Sequence, residues 1–228
     1  MSGSRYLAEC IGTFALVFAG CGAIIVNATV EGAPLGHVGV SLVFGLIVMA
    51  MIYSIGNVSG AHINPAVTIG FCVAGRLSWR VVPPYIVSQI VGALVAAALL
   101  RFFFPMHGDL GATLPSVDLL RTFLMEVMLS FLLMFVILNV STGHMEKGVM
   151  AGVAIGGTIA LMALMGGPMT GASMNPARSL GPALIAGRLD AIWLYLTAPV
   201  LGTALAAPFC RWIQGNSCCA ETEDRQDA

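Results

Sequence analysis

Two stretches decide the reading of this chain: Thr170-Gly171-Ala172-Ser173-Met174-Asn175-Pro176-Ala177-Arg178-Ser179, and its earlier echo Ser59-Gly60-Ala61-His62-Ile63-Asn64-Pro65-Ala66-Val67-Thr68. In each, small residues lead into Asn-Pro-Ala. Asn caps a helix with its side-chain oxygen, and Pro suits the first helical position, where no backbone N–H is needed. A capping Asn uses its oxygen on the new helix and keeps its NH2 group to donate elsewhere. The chain therefore presents two oriented donors, each at the positive end of a helix dipole.

The surroundings of these boxes are apolar. Of 228 residues 58% are hydrophobic and only 9% charged, with a mean hydropathy of +0.92, against about a quarter charged in ordinary globular proteins. Glu9 and Glu31 are the only charged residues between Tyr6 and Gly75, and thirty uncharged residues separate Lys147 from Arg178. This is the composition of an integral membrane protein. A net charge of −1 gives no reason to expect nucleic acid or an anionic ligand. Glu9 at the start of a long first apolar run argues against a cleaved leader.

Six full-length apolar segments are predicted, at about 8–29, 37–56, 82–104, 119–140, 148–166 and 190–212. Two shorter ones begin at Pro65 and Pro176 and end near Gly75 and Gly187, where Gly suits a helix C-terminus. Ten residues of helix rise about 15 Å, half of a ~30 Å hydrocarbon core, so each short helix reaches only to mid-membrane. Non-helical backbone at that depth must be buried in protein or line an aqueous cavity.

The chain also repeats. Ala8-Glu9-Cys10-Ile11-Gly12-Thr13-Phe14 corresponds to Met125-Glu126-Val127-Met128-Leu129-Ser130-Phe131, each well ahead of an Asn-Pro-Ala. Three spans per half is an odd number, so the halves enter the membrane with opposite orientation. Such an inverted repeat brings the two half-helices together from opposite sides, with their Asn caps near the midplane. The expected fold is an all-α integral membrane protein of six transmembrane helices plus two re-entrant half-helices. It forms a single domain over 1–228, with half-repeats at about 5–104 and 119–213 and a polar tail at 214–228.

Basic residues orient it. With both termini inside, the cytoplasmic face carries Arg5, Arg76, Arg80, Lys147, Arg211 and Arg225, while the predicted external loops Asn27–Gly36 and Pro105–Val117 have no Lys or Arg. The small-residue spacings Gly152/Gly156, Gly92/Ala96 and Ala15/Ala19 point to close helix packing in lipid. The six Cys at 10, 21, 72, 210, 218 and 219 have no paired metal spacing and read first as small buried hydrophobes, with Cys218-Cys219 a free or lipidated tail pair. The tail Glu221–Asp227 reads as a solvated end.

Paired Asn-Pro-Ala boxes, the second extended to Asn-Pro-Ala-Arg, inverted halves and a Glu early in each half resemble the aquaporin, or major intrinsic protein, family. The likeness covers about residues 5–213, and the flanks of both boxes are similar to the nodulin-like branch. What it implies is a passive channel for water and small uncharged solutes of the glycerol, urea, boric acid or arsenous acid type, excluding protons and ions. It also implies a homotetramer with one pore per subunit, in the cell membrane.

Residue by residue, the resemblance makes Asn64, Pro65, Ala66, Asn175, Pro176 and Ala177 the pore boxes. Phe44, Ala163, Ala172 and Arg178 become the selectivity filter, with Arg178 permanently charged and rich in donors. Water-selective members resembling this chain place His where Ala163 stands, and none of His37, His62, His107 and His144 lies in the fifth span. Two Ala imply a wider, more apolar aperture. Carbonyls of Ser59–His62 and Thr170–Ser173 are expected to accept from solute. Glu9 and Glu126 are read as acceptors bracing the re-entrant loops, and His62 as a further brace rather than a metal ligand.

Two alternatives stand beside this reading: a strictly water-selective aquaporin, and an ion-coupled secondary transporter, which shares inverted repeats and half-helices. The sequence presents no nucleophile–base pair and no metal-ligand spacing, so neither an enzyme nor a cofactor is expected. The expected partners are water, small neutral solutes and the lipid bilayer.

Overall fold

A computed structural model of the chain describes residues 2–141 and 145–215, without the side chains of 2 and 145–148. The side chain of Lys147, and His144, Arg225, Cys218-Cys219 and Glu221–Asp227, lie outside the described residues. Within them the chain forms eight α-helices: α1 Ser2–Thr29, α2 Gly36–Ser59, α3 Pro65–Val73, α4 Val82–Phe103, α5 Leu119–Val140, α6 Met145–Thr170, α7 Pro176–Ala186 and α8 Ile192–Gln214. All but α3 and α7 are long and apolar enough to cross a membrane.

The two short helices have nine and eleven residues, rising about 14 and 16 Å. Their ends follow from local sequence. Asn64 and Asn175 cap them with Pro at the first position. At the far end of α3, Gly75 takes φ +79° and the amides of Gly75 and Arg76 return to the Cys72 and Phe71 carbonyls. This is the left-handed glycine stop that satisfies the last carbonyls of a helix. Gly187, at φ +70°, ends α7 in the same way.

Repeat symmetry appears in the packing. Helix α1 lies along α4, and α5 along α8. A Cβ on Gly92 would collide with the Cys10 carbonyl, and one on Gly202 with the Val127 carbonyl; Cys10 and Val127 each directly follow the repeat's Glu. Each half-helix also packs on the other half's last long helix, α3 on α8 and α7 on α4. Thr203 Oγ1 donates to the Ala66 carbonyl at 2.8 Å across that join. The two halves are thus interlocked around the Asn-Pro-Ala boxes.

Outside this core, Leu42, Leu46, Val87, Val95 and Leu161 stay exposed on the long helices, as suits side chains whose solvent is lipid rather than water. On one face of the molecule Arg76 donates to Ser141 Oγ and the Leu138 carbonyl, both at 2.9 Å. Arg211 donates to the Val73 carbonyl at 3.2 Å. Both cations sit at helix C-termini, where the dipole is negative.

Cys10, Cys21 and Cys72 are free thiols. Cys210 is fully buried among core side chains, as expected of a small apolar residue. The small-residue patterns Gly92/Ala96 and Gly152/Gly156 lie at helix joins: Gly156 meets the Gly45 carbonyl, and Gly152 leaves room for the Tyr53 ring.

Candidate functional site

The two boxes meet at the centre of the molecule. Asn64 Oδ1 accepts from Ala66 N at 2.9 Å. Asn175 Oδ1 accepts from Ala177 N at 3.0 Å and Arg178 N at 3.2 Å. The amide nitrogens then cross over: Asn64 Nδ2 donates to the Met174 carbonyl at 2.8 Å, and Asn175 Nδ2 to the Ile63 carbonyl at 2.9 Å. Each NH2 has two hydrogens. One is therefore committed to the opposite loop, locking the two half-helix tips together, and the other faces the lumen.

Capping alone leaves both hydrogens of each NH2 group uncommitted. The cross-donation halves that supply and fixes its direction, because a planar amide with two of its three groups engaged has no rotational freedom.

Behind each loop stands a fully buried carboxylate. Glu9 Oε1 accepts from Ser59 Oγ at 2.7 Å and His62 N at 2.9 Å, and Oε2 from Ile63 N at 2.6 Å and Gln89 Nε2 at 2.8 Å. Glu126 repeats the arrangement with Thr170 Oγ1 at 2.7 Å, Ser173 N at 2.8 Å and Met174 N at 2.9 Å. The Ser59 and Thr170 hydroxyls in turn accept from Ala61 N and Ala172 N.

These acceptors hold a costly backbone. Ala61, Ile63, Ala172 and Met174 take φ of +48°, +44°, +42° and +52°, a region that disfavours side chains by roughly 1–3 kcal/mol per residue. Turning the amides inward to a carboxylate leaves the neighbouring carbonyls on the other side, toward the lumen. Tyr85 Oη donates to the Ser59 carbonyl at 2.8 Å and Tyr195 Oη to the Thr170 carbonyl at 2.6 Å. The first carbonyl of each loop is thereby oriented by a tyrosine that takes one of its two lone pairs.

Phe44, Ala163, Ala172 and Arg178 line a single cavity that reaches Asn64 and Asn175. They come from four different elements. Arg178, 2% exposed, donates through Nη1 to the Gly111 carbonyl at 2.8 Å, and its guanidinium carbon lies 5.0 Å from the centre of the Phe44 ring, within cation–π range. Its Nε is buried without a partner among the described residues. Phe44 itself is seated against Gly20, where any Cβ would overlap the ring.

His62 faces a wider vestibule on the opposite side of the boxes, with Arg5, Tyr53 and Arg76 on its walls. It stacks on Phe71 at 4.7 Å between ring centres, and Nδ1 is 3.2 Å from Thr68 Oγ1. No group of three or more His, Cys, Asp or Glu fit for a metal ion is present among the described residues.

Several site residues were invisible to motif reading. The connection between α4 and α5 dips into the molecule: Leu110 is fully buried, Gly111 offers its carbonyl to Arg178, and Thr113 Oγ1 donates to Ser179 Oγ at 2.7 Å. Gln89 bridges Glu9 and Thr68. Tyr85 and Tyr195 had a detectable signal, because each follows its Asn-Pro-Ala by about twenty residues.

Six spans in an inverted repeat, with two half-helices meeting at a charged constriction, define a membrane channel of the re-entrant type. The sequence model of the family described as "Major intrinsic protein" matches residues 2–209. The chain is 45% identical over 204 residues to aquaporin NIP1-1 of Zea mays, covering 89% of this chain and 72% of that one. It is 43% identical to nodulin-26 of Glycine max, covering 89% and 75%. Among solved structures, the aquaglyceroporin from Plasmodium falciparum superposes with a TM-score of 0.84 at 25% identity, covering 96% of this chain and 99% of that one. The chain belongs to the major intrinsic protein family, and it is a multi-pass membrane channel for water and small solutes.

Proposed function

We propose that this channel passes glycerol-sized uncharged solutes, including boric and arsenous acids, along with water, and that it blocks protons and ions. The observation that carries this is the constriction itself. Its corners are Phe44, Ala163, Ala172 and Arg178, two of them methyl groups where a water-selective aperture calls for bulk. A polyol carries hydroxyls along one edge and carbon along the other. The Arg178 guanidinium and the loop carbonyls fit the first edge; Phe44 and the two Ala fit the second.

At the midplane a solute oxygen accepts from the free hydrogens of Asn64 and Asn175. Its own hydrogens then point away along the lumen, which breaks any continuous proton wire. The converging N-termini of α3 and α7, each equivalent to roughly half a positive charge, together with Arg178, raise the potential against cations. Neutral solutes do not feel that barrier.

We assign both termini to the cytoplasm, on the strength of Arg76 and Arg211 gathered at one face. The assembly is a homotetramer in the cell membrane, as expected for the family. The similarity to the nodulin-like plant proteins and to an aquaglyceroporin supports the solute class.

The test is stopped-flow volume measurement on proteoliposomes with water, glycerol, urea and boric acid. The proposal expects flux above protein-free vesicles for water, glycerol and boric acid. A chain that conducts water alone would overturn it.

A further inference from the structure

The outer end of α6 carries a defect next to the filter. Pro168 lies inside this helix, and a proline has no N–H to give the carbonyl four residues earlier, which its ring also pushes aside. That carbonyl belongs to Leu164, the neighbour of Ala163. It is met from α2 by His37, whose Nε2 is 2.8 Å away. A carbonyl only accepts, so Nε2 carries the hydrogen.

A second observation matches the first. Gly167 faces the imidazole, and a Cβ there would stand 2.8 Å from His37 Cε1, closer than real contacts allow. Features from two segments distant in sequence thus combine: Pro168 frees the carbonyl, its neighbour Gly167 makes the space, and His37 fills it.

The link joins the two helices that carry two corners of the constriction, Phe44 on α2 and Ala163 on α6. Lower down, the same pair of helices touches through Gly45 and Gly156, and at the far end Tyr53 Oη donates to the Val149 carbonyl at 3.0 Å. The outer third of this seam has His37 as its polar tie.

We propose that His37 is a positioning residue for the filter: it replaces the backbone hydrogen bond lost at Pro168 and thereby fixes how far Ala163 stands from Phe44 and Arg178. It touches no solute. Without it the outer end of α6 relaxes and the aperture loosens, so larger solutes gain relative to water.

The inference rests on the proposed passage of glycerol, and its test separates the two. Glycerol and water permeabilities are measured in the same proteoliposomes for wild type, His37→Ala, His37→Gln, Pro168→Ala and the double variant Pro168→Ala/His37→Ala. His37→Ala should raise the glycerol-to-water ratio about fivefold, the factor a typical net hydrogen bond represents. His37→Gln keeps an N–H and should stay within about twofold of wild type. Pro168→Ala restores the helix's own amide, so adding His37→Ala to it should change the ratio by less than about twofold.

An unchanged ratio in His37→Ala, Gln behaving like Ala, or the same shift in both backgrounds would each overturn the proposal. If His37→Ala does not assemble, Pro168→Ala must rescue assembly, and failure to rescue counts against it. Wild-type vesicles impermeable to glycerol would fail the solute reading only; the same cycle is then read on water permeability.

Discussion

Replacing Glu126 by Ala tests the idea that a buried carboxylate holds each re-entrant loop in its strained shape. Glu126 takes three hydrogen bonds. Thr170 Oγ1 has a fallback acceptor in the Gly166 carbonyl, 3.4 Å away, but Ser173 N and Met174 N are buried amides with no other acceptor among the described residues. Leaving each unpaired costs about 1–3 kcal/mol, so Glu126→Ala should lose roughly 2–6 kcal/mol of stability. Glu126→Gln keeps one oxygen for Thr170 and Ser173 and turns an NH2 toward Met174 N. One amide is then orphaned instead of two, and the loss should be about half as large. Flux should fall in the same order, because Ala172 and Met174, at φ +42° and +52°, relax once the acceptor is gone. Glu9→Ala should be at least as damaging, since it also removes one of the two acceptors of Gln89 Nε2. Thermal unfolding in detergent, followed by tryptophan fluorescence, measures the stability, and stopped-flow water permeability measures the flux. A Glu126→Ala protein that melts with wild type and conducts normally would refute the bracing role.

Ala163→His should put a ring opposite Arg178 and narrow the aperture, so that glycerol and boric acid are excluded while water still passes; equal losses of water and solute flux in the same vesicles would contradict this. Gly20→Ala should push the Phe44 ring, against which its new methyl would collide, into the constriction. It should lower glycerol flux more than water flux at unchanged protein yield, and an unaltered ratio would show that Phe44 does not bound the filter.

How much of this was legible in the chain depended on whether the signal was local. Asn capping, Pro at the first helical position and Gly at the stop are decisions made within a few residues, so α3 and α7 could be bounded from sequence to within a residue or so. The inverted repeat was legible because Glu9 and Glu126 sit in matching frames. What escaped were contacts made only in three dimensions. Gly111 meets Arg178 from a connection that reads as an ordinary external loop. The Asn amides are shared with Ile63 and Met174, over a hundred residues away. Tyr85 and Tyr195 orient the first carbonyl of each loop, and only their matching offsets from the boxes mark them in the sequence.

Passive conduction of neutral solutes past a proton-tight midplane is tested most directly in one preparation of sealed proteoliposomes carrying an internal pH dye. Under an imposed solute gradient, water, glycerol and boric acid should equilibrate and never exceed their external concentration. Under an imposed pH gradient with potassium and valinomycin clamping the potential, the dye should report no proton entry beyond that of protein-free vesicles. Solute accumulation driven by a proton or sodium gradient, or a protein-dependent proton leak, would contradict the account.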